Sequence, residues 1–177
     1  MLFWHVGGAI AVIRYTFRDE RMDLRLVIVG VLLPTLIDAP IGIIGWDRFE
    51  SLRLVAHSLV FAASLMTAIL LTTRRGRPRK KWMPLAVGVL LHLVLDAMWR
   101  EPETLWWPFF GWAFTSTGLD TAGDYIRAVA GDWRTWALES IGLAYLIVLW
   151  RRSRLGDPER RATFISTGRV DAHIGRR

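Results

Sequence analysis

Six ionisable residues stand inside apolar stretches of this chain: His5, Asp38, His57, His92, Asp96 and Glu139. In "VGVLLHLVLDAMW", Val87 to Trp99, His92 and Asp96 are four residues apart. On a helix they project from one face, near enough to hold one ion together. With His5, His57 and Asp38 they make three imidazoles and two carboxylates, a ligand set suited to Zn²⁺, Mn²⁺ or Fe²⁺, as one ion or two. A divalent ion there would activate water for attack on a phosphoester or an acyl ester, with Asp38 or Glu139 passing the proton. Glu139 has two open readings, a catalytic base beside the ligands or a side chain that snorkels to an interface. A single histidine in an apolar segment is ordinarily a hydrogen-bonded packing residue, so the inference rests on the five together.

The segments that must position these residues are long and apolar. The chain has 177 residues, one domain's worth, of which 53% are hydrophobic and ten are tryptophan. Four stretches approach the roughly 20 residues needed to cross a bilayer: Leu24 to Trp46, Leu52 to Thr73, Trp82 to Trp99 and Trp133 to Trp150. Tryptophans lie at or near their ends, as at a lipid headgroup layer. Leu2 to Ile13 is too short to cross straight through and reads as a half-length or tilted embedded helix. Its apolar run has no basic residue ahead of it and no small-residue cleavage site after it, so it reads as retained. The expected fold is therefore all-α, a multi-span transmembrane helical bundle with four full spans plus that short N-terminal helix. Residues 1–150 form the membrane domain, and 151–177 a basic, disordered cytoplasmic tail beside anionic lipid.

Eighteen of the 23 basic residues fall in three places: from Arg14 to Arg25 at the start of the first span, in "RRGRPRKK", and after Trp150. An alternating topology puts all three on one side, which the positive-inside rule makes the cytoplasm of an inner membrane, leaving the N-terminus outside. At about 1.5 Å per helical residue, the six ionisable residues then lie roughly 5 to 12 Å below the outer ends of their segments. Each would be costly alone, about 2.5–3.5 kcal/mol for a central Asp, so a shared layer implies pairing, water or a cation.

Pro34 and Pro40 bracket Asp38 in "LLPTLIDAPIG" and imply either a plain kink or a break lining a cavity. "WWPFFGW", Trp106 to Trp112, is either an aromatic belt or a lid that contacts a lipid-like substrate. In "HS", His57 and Ser58 are adjacent and point in different helical directions, which argues against a serine nucleophile. Cysteine is absent, which excludes disulfides and thiolate sites. No phosphate loop, dinucleotide fingerprint or HExxH motif is present. The cations sit between apolar runs rather than on a soluble face, so the partner is the lipid bilayer and not nucleic acid.

The order His5, "GVLLPTLIDAP", "AHSLVF" and "LLHLVLDAMWREPETLWWPFFGW" resembles the prokaryotic inner-membrane-bound family of metal-dependent hydrolases, distantly similar to zinc-dependent phospholipases C. The resemblance runs from the amino terminus to about Trp112, through motifs that are individually weak but ordered. It implies that His5, Asp38, His57, His92 and Asp96 are the metal ligands, and that the substrate is a lipid or lipid-linked ester met near the extracytoplasmic face. Two positions depart from the family pattern. Thr35 stands where many members have the first Asp of "LLPD", and "RLVA" replaces an "HRG" element. Two rivals remain: a small metal-ion or proton transporter, for which the ionisable residues should run through the full membrane depth, and a non-catalytic module whose polar residues join helices.

Overall fold

The computed structural model describes residues 1–17 and 22–170, and all the regular structure among them is helical. Arg18, Arg21 and the end of the tail, 171–177, lie outside the described residues. The helices are α1 (Leu2–Val12), α2 (Leu24–Ile44), α3 (Trp46–Phe49), α4 (Leu59–Thr72), α5 (Arg77–Leu95), α6 (Pro102–Leu105), α7 (Ala122–Gly131), α8 (Trp133–Arg152) and α9 (Pro158–Thr167). Their starts follow local chemistry. The side chains of Asp23, Ser58, Thr121, Asp132 and Asp157 each accept a backbone N–H of the first turn of α2, α4, α7, α8 and α9, supplying an acceptor for a donor that the helix leaves unpaired.

Five long helices match the five apolar segments in the sequence. They differ from a set of simple spans: among the described residues α2 alone is both long and apolar enough to cross a membrane, while α4 is apolar but has 14 residues. The expected second span is shortened at its start. Residues 51–57 are irregular, with a single 3₁₀ turn at Val55–His57, and the helix begins only after Ser58. The tail also differs from the disordered segment expected. Its residues 158–167 form α9, Gly168 O accepts the N–H of Leu24 at 2.9 Å, and Val170 is buried with Leu24, Val27 and Val31.

The core is a layered bundle in which α1 packs on α8, α2 and α5, and α5 packs on α2 and α4. Glycines set the two closest approaches. A Cβ on Gly30 of α2 would lie 2.1 Å from the Leu85 carbonyl of α5, and one on Gly88 would lie 2.5 Å from Val27 O. Likewise a Cβ on Gly142 of α8 would meet Phe3 O of α1 at 2.2 Å. Backbones this close exclude any side chain and let helices pack on main-chain contacts, a pattern common in membrane bundles. The obstacle is backbone and cannot rotate aside, so Gly30→Ala should destabilise by about 1–3 kcal/mol despite alanine's better helix propensity. In thermal unfolding it should melt roughly 5 °C or more below the parent. Gly123→Ala in α7, whose Cβ would meet only Thr121 Oγ1 at 3.5 Å, should melt at or above it. Equal melting of the two variants would refute the close packing.

Candidate metal centre

Four helix ends converge at one end of this bundle. His5 comes from the start of α1, Asp38 from the last third of α2, His57 from the turn before α4, and His92 and Asp96 from the end of α5. The arginine-rich connections, around Arg14 and from Arg74 to Lys81, join the opposite ends. His5, Asp38, His57 and His92 are buried, none more than 4% exposed. Asp96 caps the C-terminus of α5, and Ala97 after it takes the left-handed conformation (φ 54°) that turns the chain away.

Each imidazole is oriented through Nδ1. His92 Nδ1 lies 2.7 Å from Val31 O, His57 Nδ1 lies 2.7 Å from Asp38 Oδ2, and His5 Nδ1 makes a short contact with Met1 O. A carbonyl or carboxylate oxygen can only accept, so Nδ1 carries the proton in His57 and His92, and in these rings when neutral Nε2 bears a lone pair, whereas His5 has an acceptor oxygen at both nitrogens, Met1 O and Asp96 Oδ1. The three Nε2 atoms face one another and Asp96. His92 Nε2 is 3.0 Å from His57 Nε2, and His5 Nε2 is 3.0 Å from Asp96 Oδ1. Asp96 Oδ2 is 3.7 Å from His92 Nε2 and 3.8 Å from His57 Nε2. Ligand atoms of His5, His92 and Asp96 lie mutually within 4.8 Å, with His5 Nε2 against Asp96 Oδ1. The rings of His5 and His92 stack at 4.5 Å between centroids. Contacts this close need a proton or a cation among them, and imidazole nitrogens with one carboxylate oxygen are a donor set that fits a divalent transition metal.

Asp38 plays a different part from the other four. Its Oδ2 accepts from the backbone N–H of Leu54 (2.8 Å) and of His57 (3.1 Å) and from His57 Nδ1, while its Oδ1 accepts from Ala56 N–H at 3.1 Å. Both oxygens are thus engaged by donors on the far side of the His57 ring, where a carboxylate fixes tautomer and orientation. Glu139 engages the first turn of α1: Oε2 accepts from Phe3 N–H at 2.8 Å, and Oε1 lies 3.9 Å from the amino terminus. No hydrogen bond or ion pair joins it to the histidines among the described residues. Thr35 is exposed on α2 rather than turned into this group. Ser58 Oγ donates to Val55 O and accepts from Phe61 N–H, the work of a helix cap.

The sequence reading missed Arg53 and Glu101. Arg53 Nε donates to Asp96 Oδ2 at 3.0 Å and Nη1 to Glu101 Oε1 at 2.5 Å, so a guanidinium holds the outer oxygen of Asp96 and leaves Oδ1 toward His5. The available signal was Arg53 itself, the one cation of "SLRLVAHS", at the place where the resembled family carries "HRG".

A family model described as YdjM inner membrane protein matches residues 3–156, a span that contains all of these side chains. No curated protein and no solved structure matches the chain.

Proposed function

Because the chain belongs to the YdjM inner membrane protein family, we propose that it is a multi-span inner-membrane hydrolase built around one divalent metal, held by His5, His92 and Asp96 with His57 beside them. The observation that carries this reading is the convergence of three imidazole Nε2 atoms, each on a ring whose Nδ1 is already committed to an oxygen, upon one carboxylate. A divalent cation supplies Lewis acidity there, acidifying water and polarising an ester oxygen. The chain's own residues do the rest. Asp38 holds His57, the Val31 carbonyl holds His92, and Arg53 fixes Asp96 and brings a positive charge to the rim. Asp38 and Glu139 act as positioning groups, Glu139 by anchoring the helix that carries His5.

In this reading α2, α4, α5 and α8 cross the membrane. The 14 residues of α4 reach about 21 Å, so segment 51–58 completes the crossing where it is buried against α2 and lines the site. Cationic connections at one end of the bundle support an extracytoplasmic placement of the centre at the other, and a centre at that depth would meet the ester linkage of a lipid or lipid-linked substrate. Zinc fits the nitrogen-rich donor set best, with manganese or iron as the alternatives.

The test uses protein extracted in mild detergent. Elemental analysis should find about one transition-metal ion per chain. Incubation in mixed micelles with phospholipid should release headgroup or fatty acid, chelation should stop the release, and metal should restore it. Metal-free protein, or turnover indifferent to chelator, would overturn the proposal.

A further inference from the structure

A cavity of about 360 Å³ lies on the other side of the segment that presents His57, between α2 and α3 and the aromatic loop that follows α6. Its size is within the range of small-molecule sites, roughly 300–1,000 Å³. Ile41, Phe61, Trp107, Trp112 and Phe114 give it apolar walls, and Arg48 is the cation among its lining residues. Asp38 also reaches the wall, but its oxygens are occupied by the donors already described. The Trp107 ring packs on those of Trp112 and Phe114, and Phe49 packs on Phe114. Two polar groups in this setting have no hydrogen-bonding or ionic partner among the described residues. Arg48 forms no ion pair among the described residues and lies only over the Phe49 ring, 5.5 Å from its centroid. Trp107 Nε1 is buried and donates to no acceptor, a costly state for an indole N–H.

An apolar chamber with an exposed guanidinium at its rim and a buried indole N–H in its wall is complementary to an apolar chain that ends in an anion. We propose that it binds a single acyl chain ending in an anionic oxygen head, a carboxylate or a phosphate, with the chain among the aromatic walls and the head at Arg48. A guanidinium recognises either head through charge-assisted hydrogen bonds, and the Trp107 N–H is a second donor in the same wall. A neutral lipid of equal length leaves both donors unmet, so the site selects charge as well as chain. The assignment is independent of the metal and of any hydrolysis, because none of the Nε2 atoms or Asp96 contributes to the cavity.

The full chain in dodecyl maltoside micelles is titrated with 5-doxyl-stearate at alkaline pH, and the motionally restricted fraction is read by electron spin resonance. A component that saturates near one label per chain is expected, at least tenfold tighter than for the label's methyl ester. Arg48→Gln, at an exposed position, should weaken it about tenfold or more. Trp107→Phe, which keeps a ring and removes the N–H, should weaken it a few-fold. Chelator-treated protein should bind as the parent does, so loss of the hydrolase reading would leave this one standing. Unlabelled oleate and oleoyl lysophosphatidate are then added as competitors: displacement by the first alone assigns a carboxylate head, and displacement by the second a phosphate head. Displacement by neither, equal binding of acid and ester, or an Arg48→Gln variant that binds like the parent overturns the proposal.

Discussion

The His92→Ala, Asp96→Ala double variant should carry less than a tenth of the metal bound by the parent chain when both are purified in the same detergent and measured by elemental analysis. His92 and Asp96 are one helical turn apart on α5, and between them they face His5 and His57 at 3.0 to 3.8 Å. Removing both leaves His5 and His57, whose Nε2 atoms then have no third ligand to close a shell. The parent should also lose stability on chelation, since an ion that binds only the folded chain adds RT ln(1 + [L]/Kd), about 4 kcal/mol at a thousandfold excess over Kd. The double variant should be indifferent to chelator. Glu139→Gln serves as a comparison: its carboxylate touches the first turn of α1 and no histidine, so metal content should stay near that of the parent. Full metal occupancy in the double variant would remove the centre from these residues, and metal loss in Glu139→Gln would return Glu139 to it.

Much of the architecture was legible because membrane-like composition makes helices obvious. The segment Leu24 to Trp46 became a helix of nearly the same bounds, Leu24–Ile44, and Trp133 to Trp150 became Trp133–Arg152. The i, i+4 spacing of His92 and Asp96 placed both on one face because it is a property of the helix alone. What was illegible depends on main-chain atoms brought together from a distance. Nothing in hydropathy says that Asp38 would meet three N–H groups of segment 54–57, since those groups are free only because the chain there is not helical. Nor does it say that Val31 O on α2 would accept from His92. Arg53 was equally hidden, as an arginine near a span end reads as a topology signal until Asp96 and Glu101 are placed beside it. Helix α9 went unread because it is mostly polar, and its tie to the bundle comes through the main chain of Ile165 and Gly168 and the side chains of Phe164 and Val170 rather than through a full apolar stripe.

Asp38→Ala should be among the most destabilising single changes in this chain. Asp38 is 1% exposed and accepts four hydrogen bonds from Leu54, Ala56 and His57, so alanine strands three backbone donors and one imidazole N–H in a dry interior. Each stranded donor costs about 1–3 kcal/mol before relaxation. A net loss of about 4 kcal/mol or more is expected, enough to lower the melting temperature by roughly 10 °C and to release His57 from its orientation. Asp38→Asn separates the two roles. With its carbonyl in place of Oδ2, asparagine keeps the acceptor shared by Leu54, His57 N–H and His57 Nδ1, and opposes only Ala56 N–H with an amide. It should cost about 1–3 kcal/mol and retain metal. Thermal unfolding and metal content of the two variants decide the matter together. If alanine were no worse than asparagine in stability, the 54–57 segment would not depend on this carboxylate. If asparagine lost the metal while staying folded, Asp38 would be a ligand in its own right rather than the group that holds His57.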